Sequence, residues 1–313
     1  MSGPHLRRRP HEPIPIRVGS LEISKTGTKR YDLNDPYHLA VTLSWPLFFL
    51  ALLVIDLIIN TVFALLYMAQ KGSVANVRPD SFVDLFFFSI ETLATVGYGV
   101  AAPATLYGHI LASIEILCGL TFTAIMTGLI FVRFSKPKSK IVFADKAVVT
   151  TYNGVPTLMI RIGNGRVSLL ADATARITAV VRADSPEGHV FRHAHELKLE
   201  RDRLTLFVLT WTLIHPLDEH SPLHGLSRDW LTDHELWLVV LVEAVDHALG
   251  AQVHQIKDYT PETIRFGERY QDAVTIDAQG RTNVDMTRLS AVEPDDPSHV
   301  GGDSVVFVAE TEQ

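Results

Sequence analysis

The residues with the clearest chemistry in this sequence are Thr95-Val96-Gly97-Tyr98-Gly99. A stack of backbone carbonyl oxygens can replace the water around a dehydrated K⁺ ion, and loops with these five residues are the known example of such a stack. Gly97 and Gly99 can adopt the positive φ angles that turn successive carbonyls toward one axis. Val96 and Tyr98 would then point outward and brace the loop. We therefore predict K⁺ coordination by Thr95, Val96, Gly97 and Tyr98; the alternative is an ordinary glycine-rich turn.

The segments on either side of this loop are long and apolar. Residues 43–67 and 106–134 each exceed the roughly 20 residues that a helix needs to cross a bilayer core. The block Phe86-Phe87-Phe88 before the loop is too short to span, and we interpret residues 81–92 as a re-entrant pore helix. At 313 residues the chain has room for about two domains.

Basic residues flank the two predicted spans on one side. Under the positive-inside rule this places both termini in the cytoplasm and the pore loop outside, in the plasma (inner) membrane. The intervening loop holds only Lys71 and Arg78. The flanking residues are Arg7, Arg8, Arg9, Arg17, Lys25, Lys29 and Arg30 before the first span, and Arg133, Lys136, Lys138 and Lys140 after the second.

From residue 141 the sequence has the pattern of a soluble β domain. Short β-branched or alternating runs are separated by turn signals such as Asn153-Gly154 and Gln279-Gly280. This spacing predicts an antiparallel β-sandwich. The fold class expected for the whole chain is therefore two transmembrane helices with a re-entrant pore helix, followed by an all-β immunoglobulin-like sandwich.

Several motifs resemble those of inward-rectifier potassium channels, specifically the prokaryotic KirBac group. The resemblance covers roughly residues 33–290. It depends on Ser44-Trp45-Pro46, on the approach to the filter at 87–94, on Arg133-Phe134, and on His215-Pro216-Leu217-Asp218 followed by Ser221-Pro222-Leu223.

The resemblance implies a homotetramer whose permeant ion is K⁺ and which uses no cofactor. Each chain has one filter loop and a carbonyl cage needs four, so the stoichiometry also follows physically. The expected organisation is a flexible N-terminus (1–32), a slide helix (33–42), a transmembrane pore domain (43–137), a Kir-type β-sandwich (138–290) and a flexible tail (291–313).

Four residues of the second span are predicted to line the cavity. Gly119, Thr123, Thr127 and Phe131 recur at four-residue steps and so share one face of a helix. By resemblance, Gly119 is the hinge and Phe131 the hydrophobic gate. The alternatives are close helix packing for Gly119 and a lipid-facing or interhelix aromatic for Phe131. Strongly rectifying relatives carry a carboxylate where Thr123 stands, so we expect weak block by internal polyamines.

Three acidic residues lie at membrane depth, where an ionisable group is a functional hypothesis. The resemblance places Glu91 behind the filter as a support and gives Glu115 a similar bracing role. For Asp56 two interpretations are open: an interhelical hydrogen bond involving Asn60 or a proton sensor.

The basic residues after the second span also predict a lipid site. Such clusters attract anionic lipid at roughly 1 kcal/mol per residue, and the resemblance suggests sensitivity to phosphoinositides. The alternative role is topology alone. The site residues are Arg30, Arg133, Lys136, Lys138 and Lys140.

No nucleophile elbow, P-loop or dinucleotide motif is present in the sequence, so we expect no enzyme, and we expect no nucleic-acid partner. Two other functions are open at this point. One is a subunit of a K⁺-uptake transporter, although those carry four degraded filter loops in one long chain. The other is a membrane-anchored module that binds or senses a cytosolic partner.

Overall fold

The computed structural model describes residues 14–18, 21–25, 34–184, 187 and 189–295. The chain divides into two compact units: a helical unit, residues 28–136, and a β-rich unit formed by residues 1–27 and 137–313.

The helical unit contains four helices and one short strand pair. The helices are α1 (Pro36–Thr42), α2 (Trp45–Ala69), α3 (Phe82–Leu93) and α4 (Leu106–Phe134). Strands β3 (Val74–Ala75) and β4 (Ala102–Pro103) pair in antiparallel fashion between them. At about 1.5 Å per residue, α2 is about 37 Å long and α4 about 43 Å, enough to cross a bilayer core of about 30 Å.

Polar side chains begin three of these helices where the sequence changes from loop to apolar run. Asp35 Oδ1 accepts from the His38 amide at 2.9 Å, Ser81 Oγ from Asp84 at 3.3 Å, and Thr105 Oγ1 from Gly108 at 3.1 Å. Such caps satisfy amides that have no partner within the helix. The short helix α3, predicted over 81–92, therefore begins where Ser81 can cap it.

α3 packs between α2 and α4. Its Leu85 and Phe88 are buried against Phe63 and Tyr67 of α2 and Leu111 of α4. Most other large apolar side chains of α2 and α4 are exposed in the single chain, and both helices are long and apolar enough to span a membrane. Apolar exposure of this extent indicates surfaces covered by lipid or by further copies of the chain.

The β-rich unit is built on two five-stranded sheets, which confirms the predicted sandwich class. One sheet has the order β10-β8-β12-β13, with β9 paired to β8; the other has β11-β7-β6-β14, with β5 paired to β7. All pairs are antiparallel except β14 with β6. Alternate strand residues such as Leu158, Ile160 and Ile162 are fully buried and form the core between the sheets.

The strands of the first sheet are β8 (Leu170–Asp184), β9 (Val190–Leu197), β10 (Arg203–Phe207), β12 (Trp237–Asp246) and β13 (Ala251–Tyr259). Those of the second are β5 (Ile141–Phe143), β6 (Ala147–Tyr152), β7 (Val155–Asn164), β11 (Thr210–Pro216) and β14 (Ile264–Phe266). Helix α5 (Arg228–Asp233) and two 3₁₀ turns (Pro261–Thr263 and Met286–Arg288) complete the unit.

Both ends of the chain contain paired strands in segments that we expected to be flexible. β1 (Ile14–Val18) pairs with β2 (Leu21–Lys25) within the N-terminal segment. At the other end, β18 (Val292–Pro294) pairs with β15 (Glu268–Tyr270). A further pair, β16 (Val274–Ile276) with β17 (Thr282–Val284), lies within the predicted sandwich domain. The start of the predicted tail is ordered because β18 gains ladder hydrogen bonds and Asp295 accepts one from Thr150.

Candidate functional site

The Thr95–Gly99 loop follows the end of α3 with a regular alternation of backbone conformation. Thr95, Gly97 and Gly99 have φ of +57°, +57° and +82°, whereas Val96 and Tyr98 are not among the residues with positive φ. In an ordinary strand successive residues face opposite sides. A left-handed residue at every second position breaks that alternation and allows successive carbonyls to share a side.

Thr95 is the part of this pattern that the sequence prediction missed. A left-handed conformation at a residue with a Cβ costs about 1–2 kcal/mol. The prediction assigned positive φ to the glycines alone, because threonine is not a residue type that favours a left-handed backbone. Strain of this kind persists only where the surrounding contacts determine the backbone.

Hydrogen bonds to the last turn of α3 provide those contacts. The Glu91 carbonyl accepts from the amides of Val96 (2.8 Å) and Gly97 (3.4 Å), and the Thr92 carbonyl accepts from Thr95 (3.0 Å). These carbonyls lie at the helix C-terminus and would otherwise lack partners. The loop is therefore held from behind by the helix that precedes it.

The outer end of the loop is held by a side chain that the sequence analysis did not single out. Asn76 Nδ2 donates to the Val100 carbonyl at 2.8 Å, directly after the filter residues. Asn76 itself has a φ of +59°, next to the β3–β4 pair. An asparagine in a loop was the only sequence signal for this contact.

A bidentate ion pair fixes the start of α3. The Arg78 guanidinium donates to both carboxylate oxygens of Asp84, at 2.9 and 2.6 Å. These hydrogen bonds hold the pKa of Asp84 well below its usual range. One of the two basic residues between α2 and α4 therefore fixes the start of α3.

Glu115 lies at the centre of a buried polar chain that joins the three long helices. The Tyr67 hydroxyl donates to Glu115 Oε2 at 2.7 Å, and Ser89 Oγ contacts Glu115 Oε1. Ser89 Oγ is also 3.0 Å from Asn60 Oδ1. Asn60 Nδ2 donates to the Asp56 carbonyl (2.9 Å) and to Asp56 Oδ2 (3.2 Å). The Asp56–Asn60 hydrogen bonds lie within α2, whereas the sequence analysis considered an interhelical one.

Glu91 is placed differently from Glu115. Its side chain is half-buried, and among the described residues its carboxylate makes no hydrogen bond. Its backbone carbonyl, by contrast, accepts from two filter amides. Within one chain, Glu91 therefore contacts the filter through its backbone.

The residues predicted to line the cavity share one side of α4. Gly119 is buried, and a Cβ there would overlap the backbone of Leu93 at the end of α3. Thr123, Thr127 and Phe131 are exposed in the single chain, Phe131 at 70%. Close packing of α4 against the end of α3 therefore requires a glycine at position 119, whether or not the helix bends there.

Two of the basic residues predicted to bind lipid contact α1. The Arg133 guanidinium donates to the carbonyls of Ala40 and Leu43, the latter at 2.7 Å, and lies 4.5 Å from the ring centroids of Trp45 and Phe48. Lys136 Nζ donates to the Val41 carbonyl at 3.3 Å. Both cations therefore satisfy carbonyls at the α1 C-terminus.

The other three predicted lipid contacts differ in how they are placed. Lys138 and Lys140 belong to the β-rich unit and have exposed side chains. Arg30 lies outside the described residues. The sequence prediction did not anticipate that Arg133 is engaged by backbone and aromatic partners.

The His215–Leu223 signature forms a closed hydrogen-bond network in the β-rich unit. His215 Nδ1 lies 2.7 Å from the Lys198 carbonyl, which can only accept, so Nδ1 carries the proton and donates. His215 Nε2 then accepts from Ser221 Oγ (2.8 Å), which itself accepts from the Leu223 amide (3.1 Å). Burial lowers the pKa of His215. The residues of this signature therefore hold a neutral, buried histidine in place by hydrogen bonds.

Comparison with known proteins extends these observations. A model of the inward rectifier potassium channel C-terminal domain matches residues 141–302, and an ion channel model matches residues 47–136. The chain is 36% identical over 275 residues to the inward rectifier potassium channel Kirbac3.1 of Paramagnetospirillum magnetotacticum, covering 88% of this chain and 93% of the relative.

Two animal channels are also similar. The chain is 27% identical to inward rectifier potassium channel irk-1 of Caenorhabditis elegans, covering 82% of this chain and 48% of the relative. It is 31% identical to ATP-sensitive inward rectifier potassium channel 8 of Homo sapiens, covering 69% of this chain and 52% of the relative. The filter backbone, the spanning helices and these matches together show that the chain belongs to the inward rectifier potassium channel family, as a channel of the KirBac type.

Proposed function

We propose that four copies of this chain surround one axis and conduct K⁺ passively through a filter formed by Thr95, Val96, Gly97, Tyr98 and Gly99. The observation that carries this proposal is the left-handed backbone at every second residue of the loop, anchored on the Glu91 carbonyl. Four such loops supply the ring of carbonyls that replaces the hydration shell of K⁺. The exposed apolar faces of α2 and α4 support an assembly embedded in lipid.

In this assembly α4 lines the cavity beneath the filter. Thr123 and Thr127 present neutral hydroxyls to the ion, and Phe131 forms a constriction that closes by dewetting. Because Thr123 carries no charge, internal polyamines and Mg²⁺ gain little electrostatic attraction in the cavity. The proposed channel therefore rectifies weakly, needs no cofactor and catalyses no reaction.

Regulation is proposed to come from anionic lipids of the inner leaflet, with both termini cytoplasmic. Lys138 and Lys140 have exposed side chains suited to phosphate headgroups, and each basic residue near the surface contributes about 1 kcal/mol of attraction. Arg133 and Lys136 contribute by holding α1 at the membrane surface. The name of the Kirbac3.1 relative supports the K⁺ assignment.

Reconstitution into liposomes tests the function. We expect barium-sensitive Rb⁺ uptake that is selective over Na⁺, and a tetramer by native mass spectrometry. Vesicles with and without phosphoinositide, compared for wild type and the double variant K138A/K140A, test the lipid site. Equal uptake of Na⁺ and Rb⁺, or a stable dimer, would contradict the proposal.

A further inference from the structure

The chain of polar side chains that runs through the helical unit is almost entirely removed from solvent. We call Tyr67, Glu115, Ser89, Asn60 and Asp56 the buried polar chain. All but Asp56 are buried, with exposures of 0% or 1%. Its members come from α2, α3 and α4, and it meets α3 at Ser89, two residues before the Glu91 carbonyl that anchors the filter.

The buried polar chain contains one more hydrogen bond than its hydroxyl and amide hydrogens can supply, so one further proton is needed. The two amide hydrogens of Asn60 are used by the Asp56 carbonyl and Oδ2. Asn60 Oδ1 must then accept, and the Ser89 hydroxyl, 3.0 Å away, is its donor. A hydroxyl has only one hydrogen to donate. Ser89 Oγ therefore accepts from Glu115 Oε1, which requires a proton on the Glu115 carboxyl.

Among the residues that the structure describes, the Glu115 carboxyl contacts Tyr67 and Ser89 and forms no ion pair with a cation. Neither α2 nor α3 contains a lysine or arginine. On α4 the nearest arginine, Arg133, is 18 positions away, or about 27 Å along the helix. An unpaired buried charge is costly, and such groups become neutral instead. The other titratable groups on these helices are Asp56 and Tyr67 on α2, Asp84 and Glu91 on α3, and Tyr107, His109 and Cys118 on α4.

We propose that Glu115 is a protonated acid that positions the pore helix, donating to Ser89 while accepting from Tyr67. The hydrogen bonds then run in one direction, from Tyr67 through Glu115, Ser89 and Asn60 to Asp56. Each buried donor and acceptor in this order has a partner, which is the condition for a polar network to stabilise a buried contact. This inference deepens the bracing role that the resemblance implies for Glu115, and it rests on the channel function proposed above.

If the hydrogen bonds ran in the opposite direction, the additional proton would lie on Asp56 and not on Glu115. If the Asn60 amide were rotated, Ser89 would donate to a Glu115 carboxylate, and Asp56 would need a proton to donate to Asn60. That arrangement brings Asn60 Oδ1 against the Asp56 backbone carbonyl, where two acceptors would face each other. The structure therefore favours Glu115 as the site of the proton.

Infrared difference spectroscopy of the purified channel distinguishes the two directions without any measurement of conduction. At neutral pH we expect wild type to show a carboxylic-acid C=O stretching band that is lost in E115Q and retained in D56N. Loss of the band in D56N but not in E115Q would overturn the assignment, and so would its absence from wild type. Because the readout is spectral, a protein that fails to conduct still gives a decisive result.

Selectivity measurements test the positioning role. A glutamine can donate to Ser89 and accept from Tyr67, as a protonated glutamate does, whereas alanine can do neither. We expect E115A and S89A to lower the ratio of Rb⁺ to Na⁺ uptake by about tenfold and E115Q to lower it by less than about twofold. The matched control is S113A, since the Ser113 hydroxyl is exposed and contacts only its own helix, at the His109 carbonyl. An E115Q loss as large as that of E115A would refute the proposal.

Discussion

Gly97→Ala isolates the energetic contribution of the left-handed filter backbone. Gly97 has a φ of +57°, and a Cβ placed there meets no atom of the chain within 4 Å. The cost of the substitution is therefore conformational and not steric. For an L-residue it amounts to about 1–2 kcal/mol per chain. If four chains form the filter, the sum is about 4–8 kcal/mol per channel.

Two other glycines provide matched controls. Gly154 has a φ of +80° and also meets open space, but it lies in a turn of the β-rich unit. Gly154→Ala adds the same methyl group and the same kind of strain away from the filter. Gly128 is helical and also has open space around it, so Gly128→Ala adds a methyl group without strain.

The assay is the ratio of Rb⁺ to Na⁺ uptake into liposomes, with thermal unfolding measured in parallel. We expect G97A to lower the ratio by more than about tenfold, since the strain is repeated in each chain. G154A should lower the unfolding temperature without changing the ratio. G128A should leave the ratio unchanged and should not lower the unfolding temperature, because alanine is a better helix former than glycine. An unchanged ratio in G97A would refute the backbone assignment, and an equal loss in G154A would show that the effect is general destabilisation.

Three further predictions follow from individual contacts. Gly119→Ala places a Cβ against the Leu93 backbone, so it should reduce the yield of tetramer and lower the free energy of unfolding by about 1–3 kcal/mol, as overpacked sites do. A variant with wild-type stability in thermal unfolding would contradict this packing. Thr123→Asp should strengthen voltage-dependent spermine block by about tenfold or more in planar-bilayer recordings, because each chain then places a negative charge in the cavity. Strong spermine block of the wild type would show that the neutral Thr123 hydroxyl does not cause weak rectification. His215 has a lowered pKa in the folded state, so its contribution to stability is present above the unfolded value of about 6.5 and is lost as pH falls through the folded value. Unfolding measured from neutral to mildly acidic pH should thus show a smaller loss of stability in H215N than in wild type, and parallel curves would contradict this.

Local patterns were sufficient to predict the two spanning helices and the short helix between them. The second span, residues 106–134, coincides with α4, and the pore helix was placed within one residue of α3. Hydropathy and length determine such elements because a helix in lipid must satisfy its own backbone. The sandwich was predictable from the spacing of β-branched runs, although the parallel β14–β6 pair was not.

Contacts between residues distant in sequence were not predictable in the same way. Arg133 was assigned to lipid from its charge, but 93 residues earlier Ala40 offers a helix-terminal carbonyl that the guanidinium reaches. Gly119 was assigned to a hinge, but its lack of a side chain also admits the Leu93 backbone. Both assignments depended on a partner that no local pattern identifies.

The sequence by itself determined which segments are apolar and long enough to span a membrane and which family the motifs resemble, and it predicted a position for the filter. These properties depend on composition and on spacing along the chain. Only the tertiary structure decided that Thr95 joins the glycines in the left-handed region and that Tyr67, Ser89 and Asn60 surround Glu115. The physical reason is that backbone strain and buried hydrogen bonds depend on the groups that packing brings together. In the buried polar chain, the directly hydrogen-bonded residues Tyr67 and Glu115 lie 48 positions apart in the sequence.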